Sequence, residues 1–363
     1  MDDALPTVPK KGPIKGRGSV GNPTGRYEPH VRVAVDDGWA PDEDLPPLRT
    51  TVTADATRTI IARNTSPDIG FDQSINPYRG CEHGCIYCYA RPRHAYLGLS
   101  PGLDFETKLF HKPDAAKLLD AELRKPGYEC KLIVIGADTD PYQPIERKYQ
   151  ITRQVLEVLS AHNHPAAIIT KSNLVLRDLD VLSSMAERRL ISVAVSVTSL
   201  DRTLARIMEP RAATPPKRLE AIKRLSAAGV PVRVMAAPMI PFLNDAELEA
   251  VLEAAKTAGA EHAAYVLLRL PLELKDLFEE WLQTHFPGKA KHVLNQLRTT
   301  RNGTLYVSEF GSRMKGTGVY AELLAQRFKK ACARLGLNKQ RGPGLDFASF
   351  RPPPRPGDQL DLF

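Results

Sequence analysis

The chain has 363 residues, 42% hydrophobic and 25% charged, with a formal net charge of +8. That balance allows a sizeable buried core and excludes a wholly disordered chain, and no apolar run reaches the roughly 18 residues of a membrane-spanning helix. A basic surplus favours a polyanionic partner.

Residues 1–60 are rich in Gly, Pro and charge. The run holding Lys10, Lys11, Lys15, Arg17 and Arg26 contains no acid, which predicts a flexible or loosely docked arm able to neutralise phosphates. The opening MDDALPTVPKKG lacks the apolar stretch of a signal peptide, so a cytoplasmic location is expected. Over 61–290 apolar runs alternate with amphipathic stretches, the pattern of a parallel sheet covered by helices. The runs are KLIVIGA (131–137), AAIITK (166–171), ISVAVSVTS (191–199), PVRVMAAPMI (231–240) and HAAYVLLRLP (262–271), with a first strand expected just ahead of Cys81. The intervening helices are expected in 147–162, 215–229 and 244–259, with Asn244 and Glu247 as a capping box and Gly229 and Gly259 as stops. Six strands predict an α/β partial (β/α)6 barrel, with a doubly wound sheet as the alternative because periodicity does not reveal strand order.

Beyond residue 290 the alternation stops. TLYVSEFGSRMKGTG predicts a strand or hairpin and about 320–335 a helix, making 291–340 a small hairpin-plus-helix appendage. Residues 341–363, ending in RPPPRPGDQLDLF, predict a Pro-rich tail without fixed structure.

NPYRGCEHGCIYCYARP, residues 76–92, gathers three of the five cysteines, Cys81, Cys85 and Cys88, and an odd, clustered set suits a reduced metal site better than disulfides. A Cys-x3-Cys-x2-Cys loop can place three thiolates on an iron–sulfur cube and leave the fourth iron to a small-molecule chelate. Two other readings stand at this level: a zinc site completed by His83 or His94, and three buried structural thiols.

The stretch from Cys81 through Cys85 to Cys88, with Tyr87 directly before the last cysteine, resembles the radical S-adenosylmethionine (SAM) superfamily. TDPYQPIE and PMIPFLND, with the cysteine loop, resemble its spore photoproduct lyase-related branch, over about residues 65–275. The resemblance implies a TIM-like partial barrel, a 4Fe-4S cluster held by the three cysteines, and S-adenosyl-L-methionine on the open iron, cleaved by one electron to a 5′-deoxyadenosyl radical. Barrel sites gather at the C-terminal strand ends. There the resemblance implies Asp138, Thr139 and Asp140 toward the methionine ammonium, Lys171 toward its carboxylate, Ser196 and Thr198 toward ribose, and Tyr87 and the backbone at Met239 toward adenine. Tyr89 takes the place of a hydrogen-relaying tyrosine. The branch's donor cysteine after the second strand is missing, since that stretch reads Gly136, Ala137, Asp138, so a related radical reaction is expected rather than spore photoproduct repair itself.

Gln359, Leu360, Asp361, Leu362 and Phe363 resemble the pentapeptide by which bacterial repair proteins dock on the DNA sliding clamp. The expected function is hydrogen-atom abstraction on nucleic acid, DNA ahead of RNA, with an electron donor such as flavodoxin or ferredoxin and no membrane partner. The alternatives are a radical enzyme modifying RNA or protein, and a non-catalytic iron–sulfur sensor that binds nucleic acid.

Overall fold

The computed structural model describes residues 12–31, 48–339 and 344–354. Six parallel strands lie side by side in chain order: β1 (Gln73–Ile75), β2 (Ile133–Ile135), β3 (Ala166–Thr170), β4 (Ile191–Ser196), β5 (Val232–Met239) and β6 (His262–Leu267). Ile61–Arg63 adds an antiparallel edge strand outside β1. The register pairs Gln73 with Ile133, Ile133 with Ala166, Ala166 with Ile191 and Val193 with Val232. Strands covered on both faces need apolar residues almost throughout, and Ile133, Ile135, Ile168, Val193, Val195 and Val234 are all buried.

Helices α1 (Ala115–Leu123), α2 (Ile151–Ala161), α3 (Leu179–Glu187), α4 (Pro215–Ala227) and α5 (Leu248–Thr257) connect successive strands. Each turns residues at helical spacing into one shared core: Leu119 and Leu123, Val155 and Leu159, Leu182 and Met185, Ile222 and Leu225, Leu252 and Ala255. Gly229 and Gly259, at φ +77° and +105°, end α4 and α5 in the left-handed region, as the sequence implies. Strand order that follows chain order has no point of reversal, so the doubly wound alternative is excluded and the fold is a partial (β/α)6 barrel.

Several expectations are corrected. Tyr78–Arg79, just ahead of Cys81, is not the first barrel strand; it joins Lys108–His111 and Thr51–Ala54 in a separate small sheet. No hairpin forms over 304–317, where the chain runs in turns, although the expected helix is present as α8 (Gly318–Leu335), after α6 (Leu274–His285) and α7 (Pro287–Thr299). The helix is no separate appendage in packing terms, because Leu324, Ala331 and Cys332 lie in the barrel core. Asn244 does not cap a helix. Its amide donates to the Thr198 and Pro238 carbonyls, at 2.6 and 2.9 Å, and accepts from Ile240 N at 2.7 Å, tying together the ends of β4 and β5.

Candidate active site

Parallel strands share one C-terminal rim, and the cysteine loop is fastened to it. Glu82 N donates to Gln143 Oε1 (2.8 Å) beyond β2, and Ile86 N to the Met208 carbonyl (3.0 Å) beyond β4. Arg91, fully buried, sends its planar fork into the loop: Nε to Cys85 O (2.9 Å), Nη2 to Gly84 O (3.1 Å), and Nη1 to the carbonyls of Pro101 and Gly102 (3.1 and 2.9 Å). Its charge is met by the equally buried Glu106, whose carboxylate also accepts from Gly18 N (3.0 Å) and Ser19 N (2.9 Å). The N-terminal segment therefore packs over the cysteine loop instead of hanging free in its described part. Gly84 at φ +68° requires glycine, and a Cβ on Gly18 would collide with the Gly84 carbonyl oxygen.

Cys81, Cys85 and Cys88 are free thiols. Burial pushes all three above the ordinary thiol range, and the Lys171 ammonium acts in the opposite direction at Cys85 and Cys88. Three thiolates so enclosed need a multiply charged cation beside them, which an iron–sulfur cluster supplies. Among the described residues no three His, Cys, Asp or Glu side chains converge on a single-ion site, whereas a cube places each thiolate on a different iron. Of the two histidines in the zinc alternative, His94 is taken by Lys108 O, 3.0 Å from its Nε2, and His83 turns its Nδ1 toward Asp140 at 3.4 Å.

The three consecutive polar residues after β2 do three different jobs. Asp138 turns to Arg93 (3.1 Å) and lines a cavity; burial raises its carboxyl, with Arg93 acting against that. Thr139 is buried and donates to Tyr78 O at 2.8 Å. Asp140 accepts from Thr170 Oγ1 and Lys171 N, both 2.7 Å, and Tyr142 N at 2.9 Å. Burial opposes its charge, yet the facing His83 and these hydrogen bonds hold it at about 2. Asp140 is thus a brace between the loop and β3.

Lys171 reaches over the Tyr87 ring, 5.6 Å from its centroid. The Tyr87 hydroxyl donates to Glu209, and Thr198 Oγ1 does so at 2.7 Å; Glu209 also pairs with Arg218, which donates to Ser196 O at 3.1 Å. Tyr87 and Thr198 so converge on one buried carboxylate, with the Ser196 carbonyl on its arginine partner, and the sequence reading did not identify that carboxylate. Its partner left a trace: Arg218 interrupts the apolar stripe of Ala221, Ile222 and Leu225 on α4. Met239 is fully buried, its carbonyl taking Leu268 N at 3.0 Å. Tyr89 stands at the mouth, 42% exposed, with its hydroxyl donating to Ala137 O and the Arg269 guanidinium 5.5 Å from its ring. The 359–363 pentapeptide lies outside the described residues.

Residues 75–255 match the family model described as the radical SAM superfamily. An uncharacterised protein of Mycobacterium tuberculosis is 37% identical over 219 residues, which are 60% of this chain and 64% of that protein's length. One from Methanocaldococcus jannaschii is 25% identical over 241 residues, 66% of this chain and 85% of the relative. Spore photoproduct lyase complexed with dinucleoside spore photoproduct has a similar fold, with a TM-score of 0.58 at 16% identity, covering 79% of this chain and 80% of that one. The cysteine loop, the partial barrel and the family match agree, and the chain belongs to the radical SAM superfamily, whose cofactors are a 4Fe-4S cluster and S-adenosylmethionine.

Proposed function

We propose that this protein acts by hydrogen-atom abstraction on nucleic acid, damaged DNA ahead of RNA, in a lyase-like repair reaction of the bacterial cytoplasm. The observation that carries the reading is the set of three free thiols on one rim loop, beside Lys171 and apart from the other cysteines. Cys130 precedes β2 at the opposite strand end, and Cys332 packs in α8. Three protein thiolates leave one iron of a cube to an amino-acid chelate. When bound and reduced, the cluster and S-adenosylmethionine supply hydrogen-atom abstraction, and the protein supplies binding, orientation and exclusion of water.

In this reading Cys81, Cys85 and Cys88 hold the cluster, and Lys171 meets the methionine carboxylate as a point charge. Thr198 and Tyr87, held by Glu209, present a shaped wall toward the nucleoside, and Arg91 keeps the loop carbonyls turned inward. Asp138, paired with Arg93 where it lines a cavity, is the carboxylate proposed to meet the methionine ammonium, in contrast to Asp140, which is taken up by Thr170, Lys171 and Tyr142. Tyr89 is the residue proposed to relay hydrogen, because its hydroxyl meets Ala137, in the stretch where the branch carries its donor cysteine. A flavodoxin or ferredoxin supplies the electron. No described helix is long and apolar enough to cross a membrane. The 359–363 pentapeptide is proposed to bind the sliding clamp, and its removal should abolish clamp binding in a pull-down with purified clamp.

The test is anaerobic reconstitution, reduction, and incubation with irradiated and intact DNA, with nucleosides read by mass spectrometry. The expected result is 5′-deoxyadenosine formation with a changed nucleoside from irradiated DNA, both lost in Cys85→Ala. Retention of 5′-deoxyadenosine formation in Cys85→Ala would overturn the assignment.

A further inference from the structure

We infer that the surface beside the cysteine loop is a stacking platform for unpaired nucleic acid, which leads a strand from the outer rim to the barrel mouth. The inference rests on the nucleic-acid reading above and names where the strand lies.

Two exposed aromatic rings mark the outer end. Tyr27 (55% exposed) and Tyr96 (66% exposed) stack with centroids 5.2 Å apart and planes tilted by 30°. The Arg26 guanidinium lies 5.4 and 5.5 Å from the two rings and is itself held by Glu273 (2.5 Å) and Pro92 O (3.3 Å). Tyr96 belongs to the short helix Arg91–Leu97, anchored at its start by the buried Arg91. Tyr96 is therefore positioned by an anchored helix and Tyr27 by its contact with Tyr96 and Arg26, yet both rings remain exposed. Large aromatic faces left open on a fixed base need a planar partner, and bases stack on them at about 1–3 kcal/mol each.

A cavity of about 450 Å3 opens next to this pair, lined among others by Arg79, Arg93, Tyr96 and Asp138. That volume accommodates a nucleoside-sized group. Both arginine side chains keep much of their surface in solvent, although each touches a carboxylate, Arg79 at Asp55 and Arg93 at Asp138. Asp138 in turn follows Ala137, whose carbonyl takes the Tyr89 hydroxyl, and Tyr89 carries Arg269 over its ring. The rings of Tyr27, Tyr96 and Tyr89 are thus interspersed with the guanidinium groups of Arg26, Arg93, Arg79 and Arg269. A single strand likewise presents open bases together with phosphates. A duplex hides its base faces and has no use for the rings.

The test uses the reconstituted protein without reductant and a fluorescein-labelled single-stranded oligothymidylate, with dissociation constants read by anisotropy at several salt concentrations. Tyr96→Ala should weaken binding at least about fivefold, the low end for losing one stacking face, while Tyr96→Phe binds as the parent does. Arg93→Gln should flatten the slope of log K against log salt by about 0.7, one phosphate's worth for a single strand. S-adenosylmethionine cleavage on later reduction, without DNA, should match the parent in both Tyr96 variants. Parental affinity in Tyr96→Ala, or tighter binding of a blunt duplex than of the single strand, overturns the platform. If the parent still converts irradiated DNA in that case, only the platform falls; a parent that neither binds nor converts DNA takes the functional reading down with it.

Discussion

Replacing Glu106 by Gln probes how the cysteine loop is held. The carboxylate is fully buried and serves three donors: Oε1 takes Ser19 N and Arg91 Nη2, and Oε2 takes Gly18 N. A glutamine has the same shape but one oxygen. Placed to keep Ser19 and Arg91, it turns an NH2 group against the Gly18 N–H; turned over, it faces Arg91 with a donor. Either way Arg91 remains buried with its charge met only by carbonyl dipoles. Removing one partner of a buried ion pair costs about 3–5 kcal/mol, against a typical total of about 5–15 kcal/mol. In urea unfolding of the cluster-free chain, the midpoint should fall at constant slope, by an amount equivalent to at least about 3 kcal/mol. Iron retained after anaerobic reconstitution should fall with it, because the same guanidinium orders the Cys85 and Gly84 carbonyls. A loss under about 1 kcal/mol, the scale of an ordinary hydrogen bond, with full iron content would refute the view that this pair braces the loop.

Glu209→Gln should separate cofactor binding from loop stability: it loosens Tyr87 and Thr198 together, so the KM for S-adenosylmethionine in reductive cleavage should rise about tenfold while iron content stays near parental. An unchanged KM removes the carboxylate from the cofactor wall. His164 tests the acid limb of stability. Burial holds it neutral, lowering it from 6.5 to about 4, with Nδ1 2.9 Å from Pro165 O and Nε2 2.8 Å from the Tyr128 hydroxyl. Because the folded value is the lower one, its contribution is complete above pH 6.5 and is lost as pH falls toward 4, by about 3 kcal/mol at full protonation. His164→Gln should flatten the fall in urea midpoint between pH 6.5 and 4; a profile parallel to the parent's contradicts the buried-neutral assignment.

The sequence disclosed those parts whose physics is local. Strands β2 to β6 stand within the expected apolar runs because a strand covered on both faces has little freedom of composition. β1 escaped because it is only Gln73, Ser74 and Ile75, two polar residues that read as loop; Gln73 is tolerated inside since its side-chain amide meets the Tyr128 hydroxyl at 3.0 Å. The three cysteines were legible from spacing alone. Their supports were not, since Arg91 grips Glu106 and Glu106 grips Gly18 and Ser19, residues 87 and 88 positions away. Asp138, Thr139 and Asp140 are neighbours in the chain and were read as one polar group, but a rim loop turns each side chain to a different wall, and only the packed neighbours decide which.

The N-terminal segment shows the same limit most sharply. Gly and Pro in quantity read as freedom, because glycine widens the accessible backbone and Pro-rich basic stretches seldom bury enough surface to order. At Gly18 the absent side chain instead serves contact: its backbone lies against Gly84, and no larger residue fits between the two chains. Composition cannot separate a glycine chosen for motion from one chosen for closeness. The distinction resides in Glu106, which reaches across to take the N–H groups of Gly18 and Ser19 and so converts a stretch that looks mobile into the lid of the cysteine loop.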